Sequence, residues 1–332
     1  MSTQLNRRRF LERAAGACLA TSAISTRDTL HAADESEDRG LLPIIDTHQH
    51  LWDLARFKVP WLTDAPEILN RNYVTKDFLA ATEGLGVAKA VYMEIALDPE
   101  QHVAEAEHVS KLSVSDEHPT AGAVISGRPN SPQFATYIKR FQGNPAIKGV
   151  RQVLHTFAPR GLCLEPQFVS SIQLLGELGK SYDLCLRPSE LSDATKLVDQ
   201  CPDTRFILDH CGNADPKAFL AQSQEEPWHD ATQWRRDLGQ LAQRQHVVCK
   251  ISGIVARAPK SKWSASDLAP IINFCLDEFG PDRVVFGGDW PVCLMGASYR
   301  RWVESLKEVI GNRSETDQRK LLHDNAERLY RV

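Results

Sequence analysis

The chain has 332 residues, 42% of them hydrophobic and 25% charged, a composition ordinary for a globular protein and large enough for one sizeable core. Its net charge is -4, and Lys and Arg are scattered beyond the N-terminus, which argues against a nucleic-acid-binding surface.

The first element is a basic start, Asn6-Arg7-Arg8-Arg9-Phe10-Leu11-Glu12, followed by a small-residue, mildly apolar run from Ala14 to Ser25. Paired arginines before Phe-Leu predict a twin-arginine export signal over residues 1–33. The run is too short and too rich in Ala and Ser to span a membrane. Residues 34–41 read as a polar linker and 42–332 as the folded domain. The expectation is an exported, periplasmic protein that uses the twin-arginine machinery. Eight cysteines with no C-x-x-C, several within apolar runs (Cys185, Cys211, Cys249), read as buried and reduced.

Beyond the linker, eight short β-rich runs follow one another: Leu42–Thr47, Ala88–Ile95, Thr120–Gly127, Ile147–Leu154, Leu184–Pro188, Arg205–Asp209, Val247–Ser252 and Val284–Gly288. Helical patterns separate them, several with start signals. Asp98-Pro99-Glu100 opens one, Ser131-Pro132 another, and Ser192-Asp193-Ala194 a third. Leu268 to Phe279 is preceded by Ser264-Ala265-Ser266-Asp267 and ends at Gly280-Pro281. Eight strand–helix repeats predict an α/β fold, a (β/α)8 TIM barrel in a single domain. The competing doubly wound sheet lacks a glycine-rich phosphate loop after its first strand.

In such barrels chemistry sits at the C-terminal ends of the strands, and the polar residues collect there. The first strand ends in Asp46-Thr47-His48-Gln49-His50. Two imidazoles one residue apart point to the same face, about 7 Å apart along an extended strand, which suits two ligands on one ion or two arms of one site. Strand two carries Glu94, and strand four Arg151, followed by His155. Strand five ends at Arg187, strand six at Asp209-His210-Cys211-Gly212-Asn213. Strand seven holds Lys250, and strand eight ends Phe286-Gly287-Gly288-Asp289-Trp290-Pro291-Val292. Trp52 lies in the long connection after strand one, Leu51 to Thr75, which would overhang the site with the segment Ala214 to Trp234.

The D-T-H-Q-H-L-W start, the D-H-C-G-N turn, K-I-S-G and the F-G-G-D-W-P-V ending, in that order from Leu42 to the terminal Asn325-Ala326-Glu327-Arg328-Leu329-Tyr330, resemble the amidohydrolase superfamily. The resemblance is to its amidohydrolase-2 branch, which includes 2-pyrone-4,6-dicarboxylate lactonases and sugar-acid lactonases. It implies that Asp289 is a general base that activates water and then protonates the leaving oxygen. It implies that His210 polarises the scissile carbonyl or helps hold an ion. His48 and His50 would be metal ligands or substrate contacts, with Glu94 and Asp289 as further candidate ligands of one zinc or manganese ion, Glu94 being equally a candidate salt-bridge partner of Lys148, Arg151 or Lys250. The branch also includes a lactonase that works without metal, so both readings stand. Where many superfamily members carry a bridging lysine and a histidine on strands four and five, this chain carries Arg151 and Arg187, which disfavours two metals and suits capture of a substrate carboxylate. Lys250, Trp52 and His155 complete the expected substrate contacts.

The expected reaction is opening of a sugar-derived or carboxylated lactone by activated water, which needs a base and positive charge at the carbonyl oxygen. The alternatives are non-oxidative decarboxylation within the same superfamily and a silent sugar-acid-binding protein.

Overall fold

The computed structural model describes residues 41–332, apart from 116, 157, 221–224 and 260–261. The export signal and nearly all of the polar linker expected from the sequence lie outside the described residues. Eight parallel strands pair in chain order: β1 Ile44–Gln49, β2 Val87–Met93, β3 Thr120–Ser126, β4 Ile147–Val153, β5 Ser181–Cys185, β6 Phe206–Leu208, β7 Val247–Ile251 and β8 Val284–Phe286. The ends of the sheet meet where Gln49 bridges Trp290 in parallel and the His50 N–H donates to the Trp290 carbonyl at 2.8 Å. Thr47 Oγ1 adds a bond to the Phe286 carbonyl at 2.6 Å. The arrangement is a (β/α)8 barrel, as the repeat pattern predicts.

Each strand leads to a helix on the outside, among them His102–Leu112, Leu191–Gln200 and Ala265–Phe279. The last of these starts at a capping box. The Ser264 N–H donates to Asp267 Oδ2 at 2.8 Å, and the helix stops at Gly280. No helix among the described residues is long and apolar enough to cross a membrane.

The fifth strand begins three residues earlier than its sequence suggests, at Ser181 instead of Leu184. Asp183 interrupts the apolar run, but it is wholly buried because Lys250 on β7 neutralises it at 2.8 Å. The same pairing explains how the barrel interior is layered. Ile45, Val91, Met93, Val124, Ile207, Val248 and Val285 form a lower apolar layer, packed on Ala326, Leu329 and Tyr330 of the C-terminal helix Asn325–Tyr330. Two positions further along the same faces, Ile207 gives way to Asp209 and Val248 to Lys250. The barrel is therefore greasy below and charged above, and the charged layer is the floor of the site.

Candidate active site

The floor is a chain of buried ion pairs. Lys250 Nζ lies 2.8 Å from Asp183 Oδ2 and 3.0 Å from Asp209 Oδ1. Burial works against its charge, but Asp183 and Asp209 outweigh that and raise its pKa. Burial alone would raise the Asp209 carboxyl; Lys250 and His48 hold it well below the usual carboxylate range. Arg151 Nε donates to Glu94 Oε1 at 2.7 Å, and its Nη1 to Asp209 Oδ2 at 3.2 Å. Glu94 Oε2 accepts from the Ala96 N–H at 2.6 Å and Ser126 Oγ at 2.9 Å.

His48 stands on this floor, with Arg151 Nη1 3.2 Å from its Nε2 and Lys250 Nζ 3.3 Å from its Nδ1. Burial pushes this imidazole well below its ordinary pKa despite Asp209, so it is neutral. A neutral ring has one acceptor nitrogen, so only one of the two cations donates to it at a time. Above it, Asp289 Oδ1 lies 3.5 Å from His48 Nε2 and 3.4 Å from His50 Nε2. The other nitrogen of His50 is 3.1 Å from the Met93 carbonyl. His210 packs beside His48, ring centroids 4.5 Å apart, with Nδ1 2.8 Å from Ser252 Oγ. Burial lowers the His210 pKa against Asp289 and Asp209.

Local backbone geometry aims these groups. His210, Cys211, Gly212 and Asn213 all have positive φ, a left-handed turn that L-residues adopt at a cost and that swings His210 onto the strand ends. Gly253, at φ +68°, sits against it: a Cβ there would collide with the His210 ring. Asp289 also has positive φ, following two glycines. Asp46 ties that turn to the first strand, because its Oδ1 accepts from the His48 N–H at 2.9 Å and the Gly288 N–H at 2.7 Å. Its Oδ2 accepts from Tyr299 Oη at 3.0 Å.

His48, His50, His210 and Asp289 therefore converge, with Arg151 and Lys250 directly beneath. Three other residues proposed from the sequence stand apart from them. Both Glu94 oxygens are occupied by Arg151, Ala96 and Ser126. Arg187 points to the rim, pairing with Glu190 Oε2 at 2.8 Å and donating to the Thr156 and Ala158 carbonyls at 2.9 and 2.8 Å. Trp52 is buried in its loop, its Nε1 donating to the Arg71 carbonyl at 2.6 Å and its ring edge-on to Trp61 and Tyr73. His155 lies between the two groups, 3.4 Å from Cys185 Sγ and facing Trp228. Burial, with Arg257 and His210 nearby, pushes it down to about 3, so it too is neutral.

Sequence reasoning missed four contributors. Asp209 and Asp183 balance Lys250, and Asp46 positions both the His48 and Asp289 segments. Arg257, on the short turn Ile254–Arg257 after β7, lies 3.7 Å over the Trp228 ring, with Asp215 and Asp289 among its charged neighbours. Asp183 reads in the sequence as the boundary of an apolar run, and Arg257 carried no signal.

The donor set fits one metal ion. His48, His50 and Asp289 offer two imidazoles and a carboxylate, with ligand atoms within 4.8 Å of one another. His48, Asp209 and His210 are equally close, but the Lys250 ammonium already lies against both His48 and Asp209. That leaves no electrostatic place for a second ion.

The amidohydrolase family profile matches residues 45–332. Among curated proteins, an L-fucono-1,5-lactonase from Burkholderia multivorans is 31% identical over 79% of this chain and 88% of its own length. A second L-fucono-1,5-lactonase, from Burkholderia ambifaria, is 23% identical over 87% of this chain and 95% of its own. Among solved structures, an amidohydrolase from Burkholderia multivorans with bound zinc superimposes with a TM-score of 0.75 at 26% identity, covering 87% of this chain and 99% of that one. With its barrel, its ordered motifs and this match over nearly the whole folded region, the chain belongs to the amidohydrolase family of enzymes.

Proposed function

We propose that the protein opens a lactone of the sugar-acid or carboxylated class by adding water to the ring carbonyl. The observation that carries this reading is Asp289 Oδ1, within 3.5 Å of both His48 Nε2 and His50 Nε2 at the open end of the barrel. The lactonase names of the relatives support it.

Asp289 takes a proton from the attacking water and returns it to the ring oxygen as the C–O bond breaks, so one group serves as base and then acid. The neutral His210 imidazole, held by Ser252, donates to the carbonyl oxygen as it gains charge. Arg257 stacks on Trp228 at the rim, where a guanidinium can grip a carboxylate or hydroxyls of the substrate. Arg151 and Lys250, balanced by Glu94, Asp183 and Asp209, form a fixed ion-paired floor under His48, and those carboxylates keep the two cations from moving toward the substrate. His48, His50 and Asp289 would hold one divalent ion, zinc or manganese. When bound, the ion supplies a Lewis acid and lowers the pKa of its water.

The test is a pH-indicator screen of aldonolactones and carboxylated lactones, run on chelated and manganese-loaded samples side by side. Acid release from at least one lactone is expected; no release from any of them in either sample contradicts the proposal.

We also propose export through the twin-arginine route, supported by Arg7-Arg8-Arg9-Phe10-Leu11. An Arg7→Lys/Arg8→Lys double variant should stay in the cytoplasm on fractionation; unchanged export would rule the route out.

A further inference from the structure

In the residue after His210 and on two neighbouring elements, three thiols meet. Cys211 sits in the left-handed turn after β6, Cys249 on β7 and Cys275 on the helix Ala265–Phe279. All three are wholly buried, and their sulfur atoms lie within 4.8 Å of one another. Proposed lactone chemistry has no use for them. They come from three separate elements, so their meeting is a product of the fold and not of local sequence spacing.

The chemistry of the group selects its ligand. Bonds of about 2.3 Å to one central atom set three sulfurs no more than about 4 Å apart, a spacing this group allows. Structural zinc takes four ligands, and the group contains no fourth donor among the described residues. Charge is the stronger criterion. Three thiolates around a monovalent or divalent ion would leave net negative charge in a dry interior, which is costly. Burial raises the thiols of Cys249 and Cys275 well above their usual pKa; it works the same way on Cys211, but hydrogen bonds from those two thiols hold that one well below its usual value, so the cluster shares its protons. A ligand that replaces three S–H protons with three bonds and leaves no charge meets both conditions.

We propose that Cys211, Cys249 and Cys275 form a three-sulfur site for a trivalent thiophile of the arsenite class. The step balances without an oxidant: As(OH)3 and three thiols give As(SR)3 and three waters. Three As–O and three S–H bonds break, three As–S bonds form, and each hydroxyl leaves with a thiol proton. Arsenous acid is uncharged at neutral pH, so it crosses the protein interior without the desolvation penalty of an ion.

The test reads bound arsenic and not turnover, so its failure leaves the lactone proposal untouched. The full-length chain is incubated with arsenite and excess glutathione, desalted, and its arsenic measured by mass spectrometry. One arsenic per chain is expected, resistant to the monothiol and removed by 2,3-dimercaptopropanol. Cys249→Ala and Cys275→Ala, each checked for folding by circular dichroism, should retain at least tenfold less. Cys275→Val, which fills the same space, serves if the alanine variant fails to fold. No retention by the wild type, or a full equivalent retained by the folded variants, would overturn the proposal. So would a mass two units low showing two of the three thiols joined as a disulfide, or one equivalent of Cu(I) displacing arsenite from the site.

Discussion

Arg151 Nε and Glu94 Oε1 meet at 2.7 Å inside the barrel, both side chains buried. The pairing joins a residue that resembles a substrate-binding arginine to one that resembles a metal ligand, and it occupies both. The Arg151 guanidinium is spread across Glu94, Asp209 and His48, so it acts as the post on which the first-strand histidine rests.

Removing the acid should therefore cost stability more than metal affinity. Glu94→Ala leaves a buried guanidinium short of its nearest carboxylate, a change worth about 3–5 kcal/mol. Denaturant unfolding should show a loss of that size, and manganese titration of the folded variant should still find one site. A loss below about 1 kcal/mol, or the disappearance of manganese binding, would make Glu94 a ligand instead.

Glu105 should make stability fall as pH rises from about 4.5 toward neutrality. Burial, reinforced by Glu94, raises its carboxyl from 4.5 to about 7. It accepts from Tyr92 Oη at 3.0 Å and from the Ile95 N–H at 3.1 Å. Between pH 4.5 and about 7 the unfolded chain has lost this proton and the native state still holds it, so the native state binds more protons and stability declines with pH. The decline has an upper size of about 3 kcal/mol across that window. Unfolding free energies of wild type and Glu105→Gln, compared from pH 4.5 to 7.5, should show the decline in the wild type and a flatter curve in the variant. Parallel curves would remove Glu105 as the cause.

Gly253 should tolerate no side chain. At φ +68° a Cβ is strained by about 1–2 kcal/mol, and it would press on the His210 ring. Gly253→Ala is expected to lower kcat for lactone opening by at least tenfold while the barrel stays folded by circular dichroism. Wild-type turnover would show that His210 does not depend on this contact.

How far the sequence reveals this depends on distance along the chain. The strand runs and the His48/His50 pair are local features, and periodicity exposes them. Asp289 and His210 are legible for the same reason, each at the end of a short apolar run followed by turn residues. Asp183 is not: 67 residues separate it from Lys250, and without that partner an acid in an apolar run looks like a strand boundary. Arg187 is the reverse case: its nearness to Glu190 in the chain permits the pairing seen, but nothing local shows that the carbonyls of Thr156 and Ala158 also hold it at the rim. Arg257 has neither a motif nor a strand end to mark it, and only the packing of one loop on another brings it beside Trp228.

In the proposed mechanism Asp289 moves the proton. The direct measurement is steady-state hydrolysis by Asp289→Asn, set beside calorimetric binding of the product acid to the same variant. A kcat lower by about 10²–10⁴-fold is expected, with product still bound within a few-fold of wild type. Turnover equal to that of the wild type would contradict it.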